Sequence, residues 1–234
     1  MILVTGCAAD KNFKRGEKYL ALGEYFDAAN EYKKAYSNTP PKDKERRGML
    51  SKKMAFCYEK SLQTQKAIAA YKNVIRYNAA TADDHLHHAR LLLKNGEYKA
   101  AIPEFQLVLD SMPNSKLAKD GLESARTAPQ IKEQGSRYTV KKMDIFNSRR
   151  ADFSPMLFGD QFDQLYFSST RNEAEGDELS GITGTKPSDI FFSQKDDKGK
   201  WGKPEQVTGG LNTETKRVRA ASHLMVARCI SRSV

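Results

Sequence analysis

One arrangement of apolar and polar positions is laid down three times between residues 9 and 126. A small residue is followed four places on by an aromatic, and three places after that by a second small or branched residue. The series reads Ala28, Tyr32, Ala35, then Ala67, Tyr71, Val74, then Ala101, Phe105, Val108. Gly23-Glu24-Tyr25 introduces the first set and Gly96-Glu97-Tyr98 the third. Upstream of each set a small residue precedes a larger one by three: Gly16 and Tyr19, Ala55 and Tyr58, Ala89 and Leu92. Steps of three and four share one face of a helix. The pattern therefore predicts three helix pairs, with small residues where two helices approach closely and aromatics filling the gap to the next. Pro40 and Pro113 end the first and third pairs, because proline has no amide hydrogen to continue a helix. The second and third sets are in phase at 34 residues; the first is offset by five more, absorbed by the polar stretch Pro41-Lys42-Asp43-Lys44-Glu45. Residues 114–126, with Ser115 followed by Leu117, Ala118, Leu122 and Ala125, predict a capped amphipathic helix over the open end.

From residue 127 the pattern changes. Thr127-Ala128-Pro129-Gln130 breaks the helical spacing and Gln134-Gly135-Ser136 reads as a linker. Short β-type segments follow: Tyr138–Val140, Ala151–Pro155, Gln164–Ser169 and Asp189–Gln194. Asp196-Asp197-Lys198-Gly199-Lys200 predicts a hairpin turn into a strand at Trp201.

The helical half resembles the tetratricopeptide repeat: small residue, aromatic, small residue, then a proline. That resemblance implies an α-solenoid whose first helices line a concave groove for a protein or peptide partner. By phase, the groove residues are Phe13, Lys14 and Glu17, then Met49, Lys52, Lys53, Phe56 and Lys60, then Leu86, His87, Arg90 and Lys94. This predicts a basic groove with apolar patches, suited to an acidic or amphipathic peptide. The carboxylate clamp of chaperone-binding members needs Lys and Asn at fixed first-helix positions, where the first repeat offers Phe13 and Glu17. His85, His87 and His88 look metal-like, but no third ligand accompanies the pair His85 and His88, so no metal is expected. Cys57, between Phe56 and Tyr58, reads as a buried small hydrophobe.

The β-type half resembles one blade of a WD40-like β-propeller, on Asp152-Phe153-Ser154-Pro155, Leu165-Tyr166-Phe167 with Ser169-Thr170-Arg171, Asp189-Ile190-Phe191 and Trp201-Gly202-Lys203-Pro204. Asn212-Thr213-Glu214 resembles the lead into a next blade. A propeller closes with roughly four to eight blades, so the β part is expected to be an incomplete propeller fragment. Read one base out of phase, codons allowed from Ala221 onward can spell a second blade opening, so residues 215–234 are expected to be an out-of-frame tail. The opening Val4-Thr5-Gly6-Cys7 resembles a bacterial lipobox, which implies lipidation of Cys7 and a membrane anchor that does not span. The expected organisation is 1–8 signal and lipobox, 9–126 repeats with capping helix, 127–150 linker and first strand, 151–214 partial blade, and 215–234 tail.

Charge matters less than its total implies. The chain of 234 residues carries a formal +10, but Lys216, Arg217, Arg219, Arg228 and Arg232 lie beyond Glu214 with no acid among them, leaving +5 for the rest. A basic tail is weaker support for nucleic-acid binding than a basic face on a folded domain, so no nucleic acid is expected. Three cysteines exclude a disulfide scaffold. No nucleophile elbow, phosphate loop or paired zinc motif occurs, so no catalytic residue and no cofactor is expected. The combined features resemble outer-membrane lipoproteins that carry repeats, a WD40-like propeller and a C-terminal OmpA-like domain. The resemblance implies a non-enzymatic scaffold on the periplasmic face of the outer membrane, with peptidoglycan binding confined to full-length relatives that possess that last domain. The alternatives are a hydrolase-associated propeller protein and a basic nucleic-acid binder.

Overall fold

The computed structural model describes residues 4–208 and residue 212, with side chains from residue 8 onward. The tail expected at 215–234 lies outside the described residues. Seven helices come first among these residues: α1 (Val4–Ala21), α2 (Tyr25–Ser37), α3 (Lys44–Lys60), α4 (Thr64–Arg76), α5 (Ala82–Lys94), α6 (Tyr98–Ser111) and α7 (Lys116–Gln134). Four strands follow: β1 (Asp152–Phe158), β2 (Gln164–Ser169), β3 (Asp189–Gln194) and β4 (Glu205–Gln206). The chain divides into two compact units, residues 1–137 with 181–184, and residues 138–180 with 185–234. None of the described helices is long and apolar enough to cross a membrane.

In the helical unit, short loops fold α1 onto α2, α3 onto α4 and α5 onto α6, and successive pairs then pack on one another. Ala28, Ala67 and Ala101 are fully buried, as are Tyr32, Phe105 and Val108. Close approach explains the small residues. A Cβ on Gly16 would stand 2.6 Å from the Tyr32 ring, and one on Gly121 would overlap the Phe105 ring. The capping helix behaves as its pattern predicts, with Ala118, Leu122 and Ala125 buried and the Ser115 hydroxyl accepting from the Ala118 N–H. Leu117 is the exception and stays exposed.

Two local expectations change, and one loop departs from its counterparts. The helical region starts at Val4, so the backbone of Cys7 already lies within α1. The final helix runs through Pro129 to Gln134, past the predicted break at 127, and ends at Gly135 with φ +70°. Proline there removes one backbone donor, a loss that an otherwise favourable helix survives. The loop between α3 and α4 has no glycine at the position that Gly23 and Gly96 fill in the other two pairs. Those glycines take φ +75° and +79°, and Leu62 takes φ +61° in their place. A side chain in the left-handed region costs roughly 1–2 kcal/mol, which the packing of the flanking pair offsets.

In the second unit the strands form an antiparallel sheet in the order β1-β2-β3-β4. Tyr166 faces Phe192 and Phe167 faces Phe191 across β2 and β3. The register of β1 slips between Phe153 and Met156, at Ser154 and Pro155, and β1 is an edge strand where proline costs no ladder bond. The predicted turn is present: Asp196 and Lys200 pair, Gly199 has φ +75°, and the Asp196 carboxylate accepts from the Lys198 and Lys200 N–H groups. Two strand expectations fail. Tyr138–Val140 has no strand structure, and Trp201 makes a single bridge with Lys195 rather than a strand. The sheet buries Phe146, Phe167 and Phe191, with Leu165 and Trp201 packed against them.

Candidate peptide-binding groove

The first helices α1, α3 and α5 present the residues that the repeat phase assigned to the groove. Met49 and Phe56 on α3 are the exposed apolar members, at 38% and 40% of full exposure. Lys60 on the same helix sits 5.4 Å over the Phe56 ring. Lys14, Arg90 and Lys94 are exposed. Phe13 is half-buried and packs on the Tyr32 ring, so only part of it is available. Leu86 does not line the groove at all: it is 7% exposed and belongs to the core with Ala89. Its place three residues before Ala89 puts it on the core stripe of α5, a signal the sequence already held.

Neighbouring first helices are tied by ion pairs. Lys53 on α3 reaches Glu17 on α1 at 2.9 Å, and Lys52 reaches Asp84 on α5 at 2.7 Å. Glu59 on α3 pairs with His87 at 3.0 Å. Buried tyrosines reach these acids from behind. Tyr32 donates to Glu17 at 2.5 Å and Tyr71 to Glu59 at 3.3 Å. The predicted basic groove is therefore partly neutralised. Among its described cations, Lys14, Lys60, Arg90 and Lys94 keep no acidic partner at ion-pairing distance, while Lys52, Lys53 and His87 are spent between helices. Glu59 and Asp84 are the groove residues that sequence reasoning missed. Asp84 was visible only as the third residue of the Thr81 capping box, which also forms.

Electrostatics follow the geometry. Burial pulls Glu59 upward, but the His87 and Tyr71 hydrogen bonds outweigh it and hold the carboxyl below its usual range. Glu17 is likewise held low by Tyr32 and Lys53 against burial. His87 is raised above 6.5 by its bond to Glu59, with burial opposing. A raised histidine stabilises fully below its unfolded pKa and loses that contribution as pH rises through the folded value. A depressed carboxylate does the reverse, losing its contribution as pH falls through its folded value. The α3–α5 pair is thus strongest on the mildly acidic side of neutrality.

The other two histidines of α5 meet an acid on a different helix. His85 meets Glu104 on α6 at 2.6 Å and the buried His88 meets the same carboxylate at 3.3 Å, so the face they share is directed at an acid on the neighbouring helix. Cys57 is fully buried, and burial pushes its thiol up to about 12, which keeps it protonated and unreactive.

No protein-family model matches the chain. Among curated proteins it is similar to tetratricopeptide repeat protein 16 of Macaca fascicularis, at 35% identity over 85 residues. That match covers 35% of this chain and 10% of the relative's length. Among solved structures it is similar to the tetratricopeptide-repeat domain of Sgt2 from Aspergillus fumigatus, at 20% identity and a TM-score of 0.43, covering 58% of this chain and 88% of that one. The paired helices, their small-residue contacts and the sequence similarity agree: over about a third of its length the chain shares homology with tetratricopeptide repeat proteins, and its described residues form seven helices stacked in pairs and, after them, a small antiparallel sheet.

Proposed function

We propose that the protein is a non-enzymatic scaffold whose helical unit holds an acidic or amphipathic protein segment along α1, α3 and α5. The observation that carries this reading is the coincidence of exposed Met49 and Phe56 with the unpaired cations Lys14, Lys60, Arg90 and Lys94. Exposed apolar anchors on α3, with cations outside any ion pair on α1, α3 and α5, suit a segment that alternates apolar and acidic residues. The ion pairs between first helices fix the spacing of that surface, so little ordering is needed on binding. The test uses the full chain and a displayed library of acidic amphipathic peptides. Selected peptides are expected to lose about tenfold or more in affinity when Phe56→Ala or Arg90→Ala is introduced. Peptides whose binding is indifferent to both substitutions would place the interaction elsewhere and overturn the reading.

The cellular setting is part of the same proposal. Val4-Thr5-Gly6-Cys7 supports an acyl anchor on Cys7 in an outer-membrane lipoprotein facing the periplasm. The four-stranded antiparallel meander within residues 151–214 supports reading the sheet as one blade of a WD40-like propeller. Metabolic labelling with a palmitate analogue, in a chain expressed behind a lipoprotein signal peptide, is expected to mark the protein and to fail in Cys7→Ala. Label retained in that variant refutes the anchor.

A further inference from the structure

Two arginines converge at the edge of the array where α2 ends, α3 begins and α4 ends. Arg47 lies in the first turns of α3, Arg76 is the last residue of α4, and Tyr77 follows as its C-cap. Tyr36 comes from the last turn of α2. The two phenol oxygens are 2.8 Å apart. Arg47 Nη1 donates to Tyr36 at 3.4 Å and to Tyr77 at 3.3 Å. Arg76 Nη2 donates to the same oxygens at 3.5 Å and 3.0 Å. Each guanidinium also lies over a ring, Arg47 at 4.5 Å from the Tyr36 centroid and Arg76 at 4.9 Å from that of Tyr77.

The cluster contains no carboxylate. Elsewhere in the helical unit Arg15 pairs with Glu31 and Arg46 with Asp10. Among the described residues, no carboxylate stands at ion-pairing distance from Arg47 or Arg76. Two like charges are held around two neutral oxygens, which leaves a local positive potential that an anion would relieve. Donors remain to meet one. Arg76 uses Nη2 alone, and Arg47 uses Nη1 and, towards the Thr39 carbonyl at 3.1 Å, Nε. A guanidinium carries five N–H groups, so two on Arg47 and three on Arg76 are left over by these bonds. The bond between the tyrosines consumes one hydroxyl proton and leaves the other to donate.

We infer that Tyr36, Arg47, Arg76 and Tyr77 form a binding site for a phosphate-class oxyanion, either the free ion or a phosphoryl group on an ester. Donors from three helices suit a tetrahedral dianion with several acceptor oxygens better than a carboxylate, which has two oxygens and one charge. None of these four residues belongs to the groove set on α1, α3 and α5, so the site stands or falls independently of the peptide reading.

Isothermal titration of the full chain at fixed ionic strength tests it, with sodium phosphate, phenyl phosphate and sodium acetate as separate titrants. Saturable binding of phosphate or phenyl phosphate is expected, with acetate much weaker. Whichever of the two phosphates binds more tightly identifies the source, free ion or ester. Arg76→Gln is expected to weaken binding about tenfold or more, the value of a charge-assisted hydrogen bond. Arg76 is exposed at a helix end, so this variant keeps its fold, and an unchanged circular dichroism spectrum checks that. Arg47→Lys is expected to retain charge but lose forked donation, giving an intermediate affinity. Absence of saturation, acetate binding as tight as phosphate, or equal affinity in the wild type and Arg76→Gln each overturns the site.

Discussion

Phe105→Ala is expected to lower the unfolding free energy of the helical unit by about 3–5 kcal/mol, the usual range for emptying a fully buried aromatic position. The site has little capacity to collapse. Phe105 fills the space between α6 and α7, and its ring lies where a Cβ on Gly121 would fall. Apart from Leu122, the other buried residues of α6 and α7 are small: Ala101, Val108, Ala118, Gly121 and Ala125. Truncation therefore removes apolar burial and also loosens the capping helix, which exposes the end of the array. Denaturant unfolding followed by far-ultraviolet circular dichroism measures the loss. Leu107→Ala is the control, since Leu107 on the same helix is 48% exposed. Equal midpoints for the two variants would show that Phe105 does not hold the end of the solenoid.

In the sheet unit the corresponding weak point is Arg171. It is 9% exposed and donates to Ser169, to the Phe146 carbonyl at 2.7 Å and to Asp152 at 3.0 Å, while lying 5.0 Å and 4.6 Å over the Phe167 and Phe191 rings. Arg171→Ala leaves the Asp152 carboxylate without its counter-charge and strips the cation from the buried Phe146, Phe167 and Phe191 cluster. Removing one partner of a buried pair costs about 3–5 kcal/mol. Trp201, the single tryptophan of the chain, lies 5.3 Å from Phe146 and reports on this unit by fluorescence. Its unfolding transition is expected at a clearly lower denaturant concentration in the variant.

The same pair sets an acid limit. Burial raises the Asp152 pKa, but the Ser169 hydroxyl, the Ser148 N–H and Arg171 outweigh it and hold the carboxyl below its usual range. A depressed carboxylate contributes stability above its unfolded pKa of about 3.9, and that contribution is lost as pH falls through the folded value. The acid unfolding limb seen by Trp201 should therefore move to higher pH in Arg171→Ala. An unmoved limb would mean that Asp152 is held by Ser148 and Ser169 alone.

The helix pairs were legible because their cause is local. A small residue four before an aromatic places both on one helix face, and Ala28 with Tyr32, Ala67 with Tyr71 and Ala101 with Phe105 are all buried as that spacing requires. The strands at Gln164–Ser169 and Asp189–Gln194 were equally legible, since aromatic and β-branched residues cluster between turn signals. Tyr138–Val140 carries the same local preference and forms no strand, because strand pairing is a tertiary event that local preference does not fix. The left-handed Leu62 and the uninterrupted helix through Pro129 show the opposite case, where packing along the whole element outweighs one unfavourable residue.

The helix that carries each expected groove residue follows from phase, but the ion pairs among those residues do not. Lys52 and Asp84 are 32 positions apart, and Glu17 and Lys53 are 36 apart. Nothing in either local segment records that these side chains meet. The order of the helices, their pairing through small residues and the core stripe of each were determined by the sequence alone, because they rest on periodicities shorter than one helix. Which cations stay free, which acids cross from one first helix to the next, and the meeting of Arg47 and Arg76 around two tyrosines were decided only by the stacking of the pairs. Stacking brings together side chains from different helices, and electrostatic energy depends on that distance in space rather than on separation along the chain.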